Sequence, residues 1–407
     1  MQGWTSSVLR SLSLLRTHST GLVPRKGDRV VVAMSGGVDS SVTAKLLAEQ
    51  DYDLSAVFMR NWDTRDESGT DSGCEWKKDW EDVQRVCRML GLKCQMVDLS
   101  REYWTRVFEP ALEQWEAGST PNPDVWCNKE VKFGALMDRL VSQDSWIATG
   151  HYADKKWALP PLSVSNLFAY GKFPSRPQLR RPVDRSKDQT YYLAAVPEAS
   201  LARALFPLAP YKKTEVREMA LRWGLPTASR EESMGLCFVG EKRRFDDFIA
   251  QYIPLKPGPI IELESEKTLG RHQGLYSYTI GQNARIRGMP QKMFVAKKDS
   301  KQNAIYVVPG SDHPALYCNS IIVDKWKWIW EDAPPAGIDG EGFRGRVQHR
   351  HRMVDVPGTV QRRADGSIRI TFQKPQSSVA TGQVAAMWNR EWCLGCGVIT
   401  ATEASCS

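Results

Sequence analysis

The first half of the chain alternates short apolar runs with longer stretches of helical periodicity. The apolar runs predict buried strands at Val30–Met34, Leu54–Met59, Gln95–Leu99 and Trp146–Thr149. The stretches between them predict helices at Ser40–Glu49, Trp76–Leu90, Arg101–Glu116 and Lys129–Leu140. Buried strands that alternate with helices indicate a parallel α/β sheet, whose ligands lie beyond the carboxyl ends of the strands.

The second half of the chain has a different pattern. Residues 155–183 are rich in proline and predict an irregular connector, after which helical periodicity returns at Ala199–Leu205 and Thr214–Trp223. Beyond Pro254, short strand-like runs separated by glycine and proline predict a small antiparallel β-barrel. These runs are Asn303–Val308, Ile321–Val323, Gly342–Gln348, Ile368–Phe372 and Gln383–Trp388.

A chain of 407 residues is too long for one ordinary core. We therefore expect an α/β domain over residues 28–205, a small central domain over residues 206–282, a barrel over residues 283–400 and a tail over residues 401–407. Residues 1–27 contain four basic residues and no acidic one. That composition is typical of an organelle transit peptide, and a disordered basic tail is the alternative.

Composition limits the classes of function. Of the net charge of +8, four charges lie in residues 1–27, and the remaining +4 permits a polyanionic partner without requiring one. A hydrophobic content of 42% without a long apolar run argues against a membrane span. Nine cysteines, an odd number with irregular spacing, favour a reducing compartment over a secreted disulfide framework.

The segment Ser35–Ser41 joins the first predicted strand to the first predicted helix. Its two glycines allow a tight turn, and the helix N-terminus and serine hydroxyls offer hydrogen bonds to phosphate. Asp39 would hold a Mg²⁺ ion against those phosphates. The segment lacks the Gly-Lys-Ser/Thr of kinase-type loops, and it resembles the pyrophosphatase loop of enzymes that split ATP between its α and β phosphates. An ordinary glycine turn is the alternative interpretation.

Two thiols have neighbours that favour reactivity. Asp124 and Cys127 lie three residues apart just before a predicted helix, where a thiol pKa tends to fall. Cys237 precedes the basic residues Lys242–Arg244, which would support a thiolate or a persulfide. Turn and packing roles are the alternatives. Reaction between the two thiols requires that the fold brings them within bonding distance.

Other candidate features are weaker. Cys393 and Cys396 form a single Cys-x-x-Cys without a second pair or nearby histidines, and we interpret it as structural rather than as a zinc or redox site. Basic residues cluster around positions 180–187, 242–244 and 344–352. Such clusters usually mark solvated faces, but three of them also suit an extended phosphate backbone.

Seven motifs, in order along the chain, together resemble the tRNA-specific 2-thiouridylases. They are Ser35–Ser41, Asn122–Lys132, Ala148–Tyr152, Ser186–Thr190, Met234–Gly240, His272–Gly274 and Tyr278–Gln282. The likeness runs from about residue 28 to residue 400, and the transit-like start suggests the mitochondrial branch. It implies a Rossmann-like adenine-nucleotide alpha-hydrolase (PP-loop) domain with a parallel sheet, a central tRNA-binding domain and a C-terminal antiparallel β-barrel.

The resemblance also implies an activity. Family members are sulfurtransferases that replace the C2 oxygen of the wobble uridine, position 34, in tRNAs for Lys, Glu and Gln. ATP adenylates that oxygen and releases pyrophosphate, and a persulfide sulfur then attacks C2. The implied partners are the tRNA anticodon stem-loop and a persulfide donor or relay protein. An iron–sulfur cluster held by Asp124, Cys127 and Cys237 would use the same ligands and stays open as an alternative.

Matching the motifs residue by residue assigns expected roles. Cys237 would carry the persulfide, Cys127 would release its sulfur and leave a Cys127–Cys237 disulfide, and Asp124 would transfer a proton. The expected ATP-binding residues are Ala33, Met34, Ser35, Gly36, Gly37, Val38, Asp39, Ser40, Met59 and Gly150. The expected contacts with the target base are Asn122, Pro123 and Asp124, and those with the rest of the tRNA are His151, Lys187, Asp188, Gln189, Arg350, His351 and Gln383.

Two other functions remain compatible with the residues. An amidotransferase-type synthetase would share the adenylating loop, act on a small molecule and turn over ATP without tRNA. A tRNA-binding protein without catalysis would bind RNA and release no AMP.

Overall fold

The computed structural model describes residues 22–62, 75–140, 145–158, 175–231 and 245–404. Its helices are α1 (Val38–Ala48), α2 (Glu75–Leu90), α3 (residues 100–116), α4 (residues 123–140), α5 (Thr190–Leu193), α6 (Glu198–Arg203), α7 (Lys213–Arg222) and α8 (Phe245–Ile249). Both α3 and α4 contain π-helical segments, at Trp104–Phe108 and Cys127–Ala135.

The strands fall into three sheets. The first nine are β1 (Arg29–Met34), β2 (Asp53–Arg60), β3 (Lys93–Asp98), β4 (Ser145–Thr149), β5 (Asp154–Ala158), β6 (Arg176–Arg180), β7 (Ala204–Leu205), β8 (Gly258–Glu262) and β9 (Thr268–His272). The others are β10 (Met293–Asp299), β11 (Ala304–Pro309), β12 (Tyr317–Trp328), β13 (Phe343–Gln348), β14 (Val356–Arg362), β15 (Ile368–Ser377), β16 (Val384–Asn389) and β17 (Trp392–Glu403).

The predicted parallel sheet is confirmed. Its strand order is β3-β2-β1-β4-β7, and every neighbouring pair is parallel. Strand β1 is central, and successive residues face opposite layers: Val30 and Val32 pack toward α2, whereas Val31 packs toward α3 and α4. A strand covered on both faces needs an unbroken apolar run, which is the pattern that revealed it in the sequence.

The second half of the chain forms two β structures. Strands β8 to β11 make a four-stranded sheet in the order β10-β11-β8-β9. Strands β12 to β17 form an antiparallel barrel in the order β12-β15-β14-β13-β16-β17, which closes because β12 also pairs with β17. The predicted barrel is therefore present, and its interior is filled by apolar side chains such as Val347, Val360 and Ile370.

Three local predictions were wrong. The run Asn303–Val308, predicted as a barrel strand, lies in β11 of the separate four-stranded sheet. Part of the predicted connector, residues 155–183, is regular: β5 and β6 form a hairpin whose strand β6 pairs with the start of β17 at Arg180 and Leu179. The first residues of β17 precede the stretch that pairs with β12, so they supplied hydrogen-bond partners for β6 that the sequence pattern does not show. The predicted helix Ala199–Leu205 ends at Arg203, because Ala204 and Leu205 pair with β4 as a short edge strand.

Some predictions concern residues outside those described. They include most of the basic leader and the segment that carries Cys237. Within the described ranges, no helix combines the length and apolar character needed to cross a bilayer.

Candidate active site

The loop between β1 and α1 has a conformation that requires its glycine. Gly36 has φ of +77°, and a Cβ atom at this position would lie 2.7 Å from the carbonyl oxygen of Asp79. Serines fix the rest of the loop: the Ser35 N–H donates to Ser40 Oγ at 3.2 Å, and Ser41 Oγ donates to the Gly37 carbonyl at 2.8 Å. The turn is thus held against α2 before any ligand binds.

The loop suits an anionic ligand. Gly37 precedes α1 and has no side chain that could accept hydrogen bonds from the first N–H groups of the helix. Val38 and Ser40 are buried and anchor that first turn, whereas Ser35 is exposed. These features fit the phosphates of a nucleotide.

Three strands bring their predicted ligand-binding residues to the same edge. Ala33 and Met34 end β1, Met59 lies near the end of β2, and Gly150 directly follows β4. A Cβ atom at Gly150 would lie 2.8 Å from the Ser40 nitrogen, so β4 closely approaches the start of α1. Met34 is only 3% exposed, so its side chain belongs to the core.

Asp39 has two partners that sequence reasoning missed. The Lys213 ammonium donates to both of its carboxylate oxygens at 2.7 Å, and the Tyr152 hydroxyl donates to Oδ1 at 3.0 Å. The Lys213 side chain is 11% exposed. Tyr152 belongs to a motif that the sequence revealed, but no local signal connects Lys213 to Asp39.

Arg230 ties the loop to α2. Its guanidinium donates to the Gly36 carbonyl at 3.0 Å and forms ion pairs with Asp79 and Asp82. Asp82 is 3% exposed. Arg230 also lies at the end of a described range, shortly before the segment that carries Cys237, so the predicted meeting of Cys127 and Cys237 stays a prediction.

A cavity of about 280 Å³ lies where three parts of the chain meet. Its aromatic lining is Trp115, Tyr192, Phe245 and Tyr276. Its other lining residues include Thr120, Asn122, Pro123, Asp124, Thr279 and Gln383. The predicted base-contacting residues therefore all line one aromatic cavity, and the barrel residue Gln383 lines it too. Gln383 is held there because its Nε2 donates to the Thr120 carbonyl at 2.9 Å.

Asp124 has an environment that favours its protonated form. Burial raises the pKa of its carboxyl group, and the positive charge of Lys132 opposes part of that rise. A carboxyl group with a raised pKa exchanges a proton more readily near neutral pH than an ordinary aspartate does.

Cys127 lies one helical turn beyond Asp124. Its side chain is 2% exposed, belongs to the core packed between α3 and α4, and does not line the cavity. The adjacent Asn128 donates through Nδ2 to the carbonyls of Asp124 and Tyr192, at 3.0 and 3.3 Å. Asn128 therefore joins the start of α4 to α5.

Several of the predicted tRNA-contacting residues of the α/β domain form hydrogen bonds or ion pairs within the protein. Gln189 and Tyr152 exchange two hydrogen bonds, of 2.9 and 3.0 Å. Asp188 accepts from Thr190 through one carboxylate oxygen and from Arg181 through the other. Lys187 ends the short 3₁₀ turn Arg185–Lys187 and is partly buried.

Two histidines predicted to contact tRNA have lowered pKa values, which favour the uncharged imidazole at neutral pH. His151 bonds to Thr149 at 2.9 Å through Nδ1, and burial lowers its pKa to about 3. His351 stacks on Tyr192 with ring centroids 4.2 Å apart, and burial lowers its pKa to about 4. Arg350 beside it is exposed. His351 therefore packs against Tyr192, which lines the cavity, whereas the guanidinium of Arg350 faces solvent.

The Cys-x-x-Cys lies in β17. Cys393 and Cys396 are 0% and 1% exposed, and burial raises the pKa of the Cys396 thiol to about 12. Within the described ranges, no group of three or more His, Cys, Asp or Glu side chains is placed to hold a metal ion. Both thiols pack in the core between the barrel and the α/β domain.

Comparisons with known proteins agree with this architecture. Residues 28–241 match the family described as "tRNA methyl transferase HUP domain". Residues 246–309 match "tRNA methyl transferase PRC-barrel domain", and residues 318–399 match "Aminomethyltransferase beta-barrel domain". The three parts thus follow in the order that the sequence predicted.

Relatives decide the family. A protein of Ralstonia pickettii named tRNA-specific 2-thiouridylase MnmA is 42% identical over 382 residues, which cover 92% of this chain and 96% of the relative. The chain belongs to the tRNA-specific 2-thiouridylase family. Further 2-thiouridylases of the same name, from Alkaliphilus oremlandii and Halalkalibacterium halodurans, are 39% and 41% identical over 91% of this chain and cover 96% and 94% of those relatives.

Solved structures add no functional assignment. The U34-tRNA thiolase NcsA from Methanococcus maripaludis, described with its [4Fe-4S] cluster, is 14% identical with a TM-score of 0.34 over 60% of this chain and 70% of that chain. A likeness this weak transfers neither substrate nor cluster to this chain.

Proposed function

We propose that this protein uses ATP to replace the C2 oxygen of uridine 34 by sulfur in tRNAs for Lys, Glu and Gln. One observation carries the proposal: a hydrogen-bonded path joins the phosphate loop to the aromatic cavity. Tyr152 donates to Asp39 in the loop and pairs with Gln189, which precedes α5, and Tyr192 of α5 lines the cavity. Adenylation of a base requires a nucleotide site beside a base site, and this path supports that arrangement.

The cavity suits a flipped pyrimidine. Tyr192, Phe245 and Tyr276 offer ring faces for stacking, and Asn122 and Asp124 offer hydrogen-bonding groups for the edge of the base. An unpaired anticodon base costs less to extrude than a paired one. The raised pKa of Asp124 supports its role in moving the N3 proton of uridine when the C2 oxygen is adenylated and when the thione forms.

The phosphate loop supports ATP as co-substrate. The first turn of α1 and the exposed Ser35 would bind its phosphates, and the close approach of Gly150 to Ser40 would form one wall of the site. Bound ATP supplies the adenylyl group that turns the C2 oxygen into a leaving group. Asp39 is the residue that would hold a Mg²⁺ ion together with phosphate oxygens, because Mg²⁺ typically binds one or two carboxylates plus phosphates.

Sulfur transfer is proposed for the two thiols. Cys237 would carry a persulfide whose terminal sulfur becomes bonded to C2, while the thiolate of Cys127 attacks Cys237 and leaves a Cys127–Cys237 disulfide, which a thiol reductant then opens. The described residues nearest to Cys237 along the chain contact both sites, since Arg230 bonds to the phosphate loop and Phe245 lines the cavity. A relay protein would deliver the sulfur. An iron–sulfur cluster on Asp124, Cys127 and Cys237 is the competing route.

The proposed compartment is the mitochondrion, because residues 1–27 are basic and lack acidic side chains. Fusion of residues 1–27 to a fluorescent reporter tests this. Import into mitochondria is expected, and a reporter that stays in the cytosol would contradict it.

The test of function uses purified protein, unmodified tRNA, ATP, Mg²⁺ and a low-molecular-weight persulfide as sulfur donor, with mass spectrometry of the digested nucleosides. We expect 2-thiouridine at position 34 and release of AMP that depends on tRNA. The reaction is repeated anaerobically with and without iron, and a requirement for iron would favour the cluster route.

The same assay separates the other functions. AMP release without tRNA would favour a small-molecule synthetase, and tRNA binding without AMP release would favour a non-catalytic binder. A parallel reaction with S-adenosylmethionine tests methyl transfer, the activity named in two of the family descriptions. A methylated nucleoside in place of 2-thiouridine would overturn the proposal.

A further inference from the structure

We propose that Lys213 binds the pyrophosphate that leaves during adenylation, and that Asp39 and Tyr152 hold it in position until ATP arrives. This inference rests on the proposed function. The carrying observation is the cluster at the start of α1: the Lys213 ammonium bonds to both Asp39 oxygens at 2.7 Å and lies 5.8 Å from the centre of the Tyr152 ring.

The fold fixes Lys213 at this place. It is the first residue of α7, and its backbone N–H donates to Asp184 at 2.9 Å. Helix α7 packs on α1, with Val216 and Ala220 in the same core as Val42. Because both helices are anchored, the lysine stem reaches the phosphate loop without a change of backbone.

The adenylation reaction accounts for a cation beside the phosphate loop. In adenylation the uridine C2 oxygen bonds to the α-phosphorus of ATP, and the bond from that phosphorus to the bridging oxygen breaks. The electron pair of the broken bond leaves with pyrophosphate, which gains negative charge. A positioned ammonium stabilises that developing charge. The Lys213 ammonium would need to move only a short distance from Asp39 to do so.

Structural stabilisation alone is a weaker explanation for the pair. The Lys213 side chain is 11% exposed and that of Asp39 is 33% exposed, so desolvation of the ammonium offsets part of the attraction between the two charges. Apolar residues of similar size often stabilise a fold as well as such a pair does. The ammonium is also directed at the one carboxylate of the phosphate loop rather than at a distant surface.

Binding of the two products, measured by calorimetry, tests the inference apart from turnover. We expect Lys213→Met to weaken binding of inorganic pyrophosphate by about tenfold or more, which is about 1.4 kcal/mol, while AMP binding stays near that of the wild type. Lys213→Arg should restore most of the affinity because it keeps the charge. Lys212→Met is the matched control, since this neighbouring lysine is exposed and should bind pyrophosphate like the wild type.

A second variant keeps the test decisive if Lys213→Met fails to fold. In Mg²⁺-free buffer, Asp39→Asn should bind pyrophosphate at least as tightly as the wild type, because the carboxylate no longer competes for Lys213. Pyrophosphate binding that is unchanged in Lys213→Met, or lower in Asp39→Asn, would overturn the role of Lys213. A wild type that binds neither AMP nor pyrophosphate would instead contradict the proposed ATP-dependent function.

Discussion

At the scale of single residues, the phosphate loop requires a glycine at position 36, because a Cβ atom does not fit there. Gly36 has a positive φ and lies against the backbone of α2, where a Cβ atom would approach the Asp79 oxygen to 2.7 Å. Gly91 has a similar φ of +67° but has nothing within 4 Å of its Cβ position. Comparing alanine substitutions at these two glycines therefore separates the free-energy cost of the backbone conformation from the cost of steric crowding.

Gly36→Ala should destabilise the protein more than Gly91→Ala does. Both variants incur about 1–2 kcal/mol for a left-handed residue that is not glycine, and only Gly36→Ala must also displace the α2 backbone. Urea unfolding measures the difference, and ATP binding should be lost only in Gly36→Ala. Equal destabilisation by both variants would show that α2 does not confine the loop.

Cys127 differs from the other described thiols in its position beside Asp124. Cys127→Ser should abolish formation of 2-thiouridine while tRNA binding survives, because a serine hydroxyl cannot form the disulfide with Cys237 that releases the transferred sulfur. The matched control is Cys94→Ser in β3, which should thiolate normally. Nucleoside mass spectrometry and a gel-shift assay measure the two properties, and full thiolation by Cys127→Ser would remove the proposed mechanism.

At the scale of elements, one arginine joins the α/β domain to the barrel. Arg181, just after β6, forms ion pairs with Asp188 in the motif before α5 and with Asp355 just before β14. Its guanidinium also lies 4.3 Å from the ring centre of Trp388 in β16. Asp188 therefore acts as an internal anchor, and the lysine and glutamine on either side of it are positioned by that anchor.

Arg181→Met should be strongly destabilising. The side chains of Arg181, Asp188 and Asp355 are 13%, 9% and 18% exposed. Removal of the cation leaves Asp188 without this ion pair, whereas Asp355 keeps its pair with Arg346, so we expect a cost near the lower end of about 3–5 kcal/mol. Lys26→Met is the control, because its pair with Asp51 is 82% and 74% exposed and should change stability by less than about 0.5 kcal/mol. Urea unfolding of both variants decides whether the network joins the domains.

At the scale of the whole molecule, the base cavity exists only because three parts of the chain meet. Asn122 and Asp124 come from the α/β domain, Phe245 and Tyr276 from the segment after it, and Gln383 from the barrel. The stack of the barrel's His351 on Tyr192 joins two of these parts at the cavity wall. Conditions that disturb this assembly should therefore affect base binding before they affect nucleotide binding.

Acid is such a condition. Burial lowers the pKa of His349 and of His351 from 6.5 to about 4, so the unfolded chain binds more protons than the folded one between these values. Stability should therefore fall as the pH drops from 6.5 toward 4, by up to about 1.4 kcal/mol per pH unit for the buried His349. Urea unfolding at several pH values measures the slope. His349→Leu should reduce the slope, and an unchanged slope would contradict the assignment.

Much of this protein could be predicted from local sequence because local physics sets it. The unbroken apolar run of β1 predicted a strand covered on both faces, and Ser35–Ser41 predicted a phosphate loop at its end. The segment Asn122–Asp124 was predicted to contact the base, and the structure places it on the cavity wall. The β5–β6 hairpin was not predicted, since its strand β6 pairs with β17 near the other end of the chain.

The sequence by itself determined the buried strands β1 to β4, where the phosphate loop lies and which family the motifs resemble, because these depend on neighbouring side chains. Tertiary structure alone decided the partners of those residues. Lys213 meets Asp39 across 174 positions and Arg230 meets Gly36 across 194, and such pairs leave no periodic or local signal in the chain. Charge pairing at that separation depends on how the helices pack, and only the folded molecule specifies that packing.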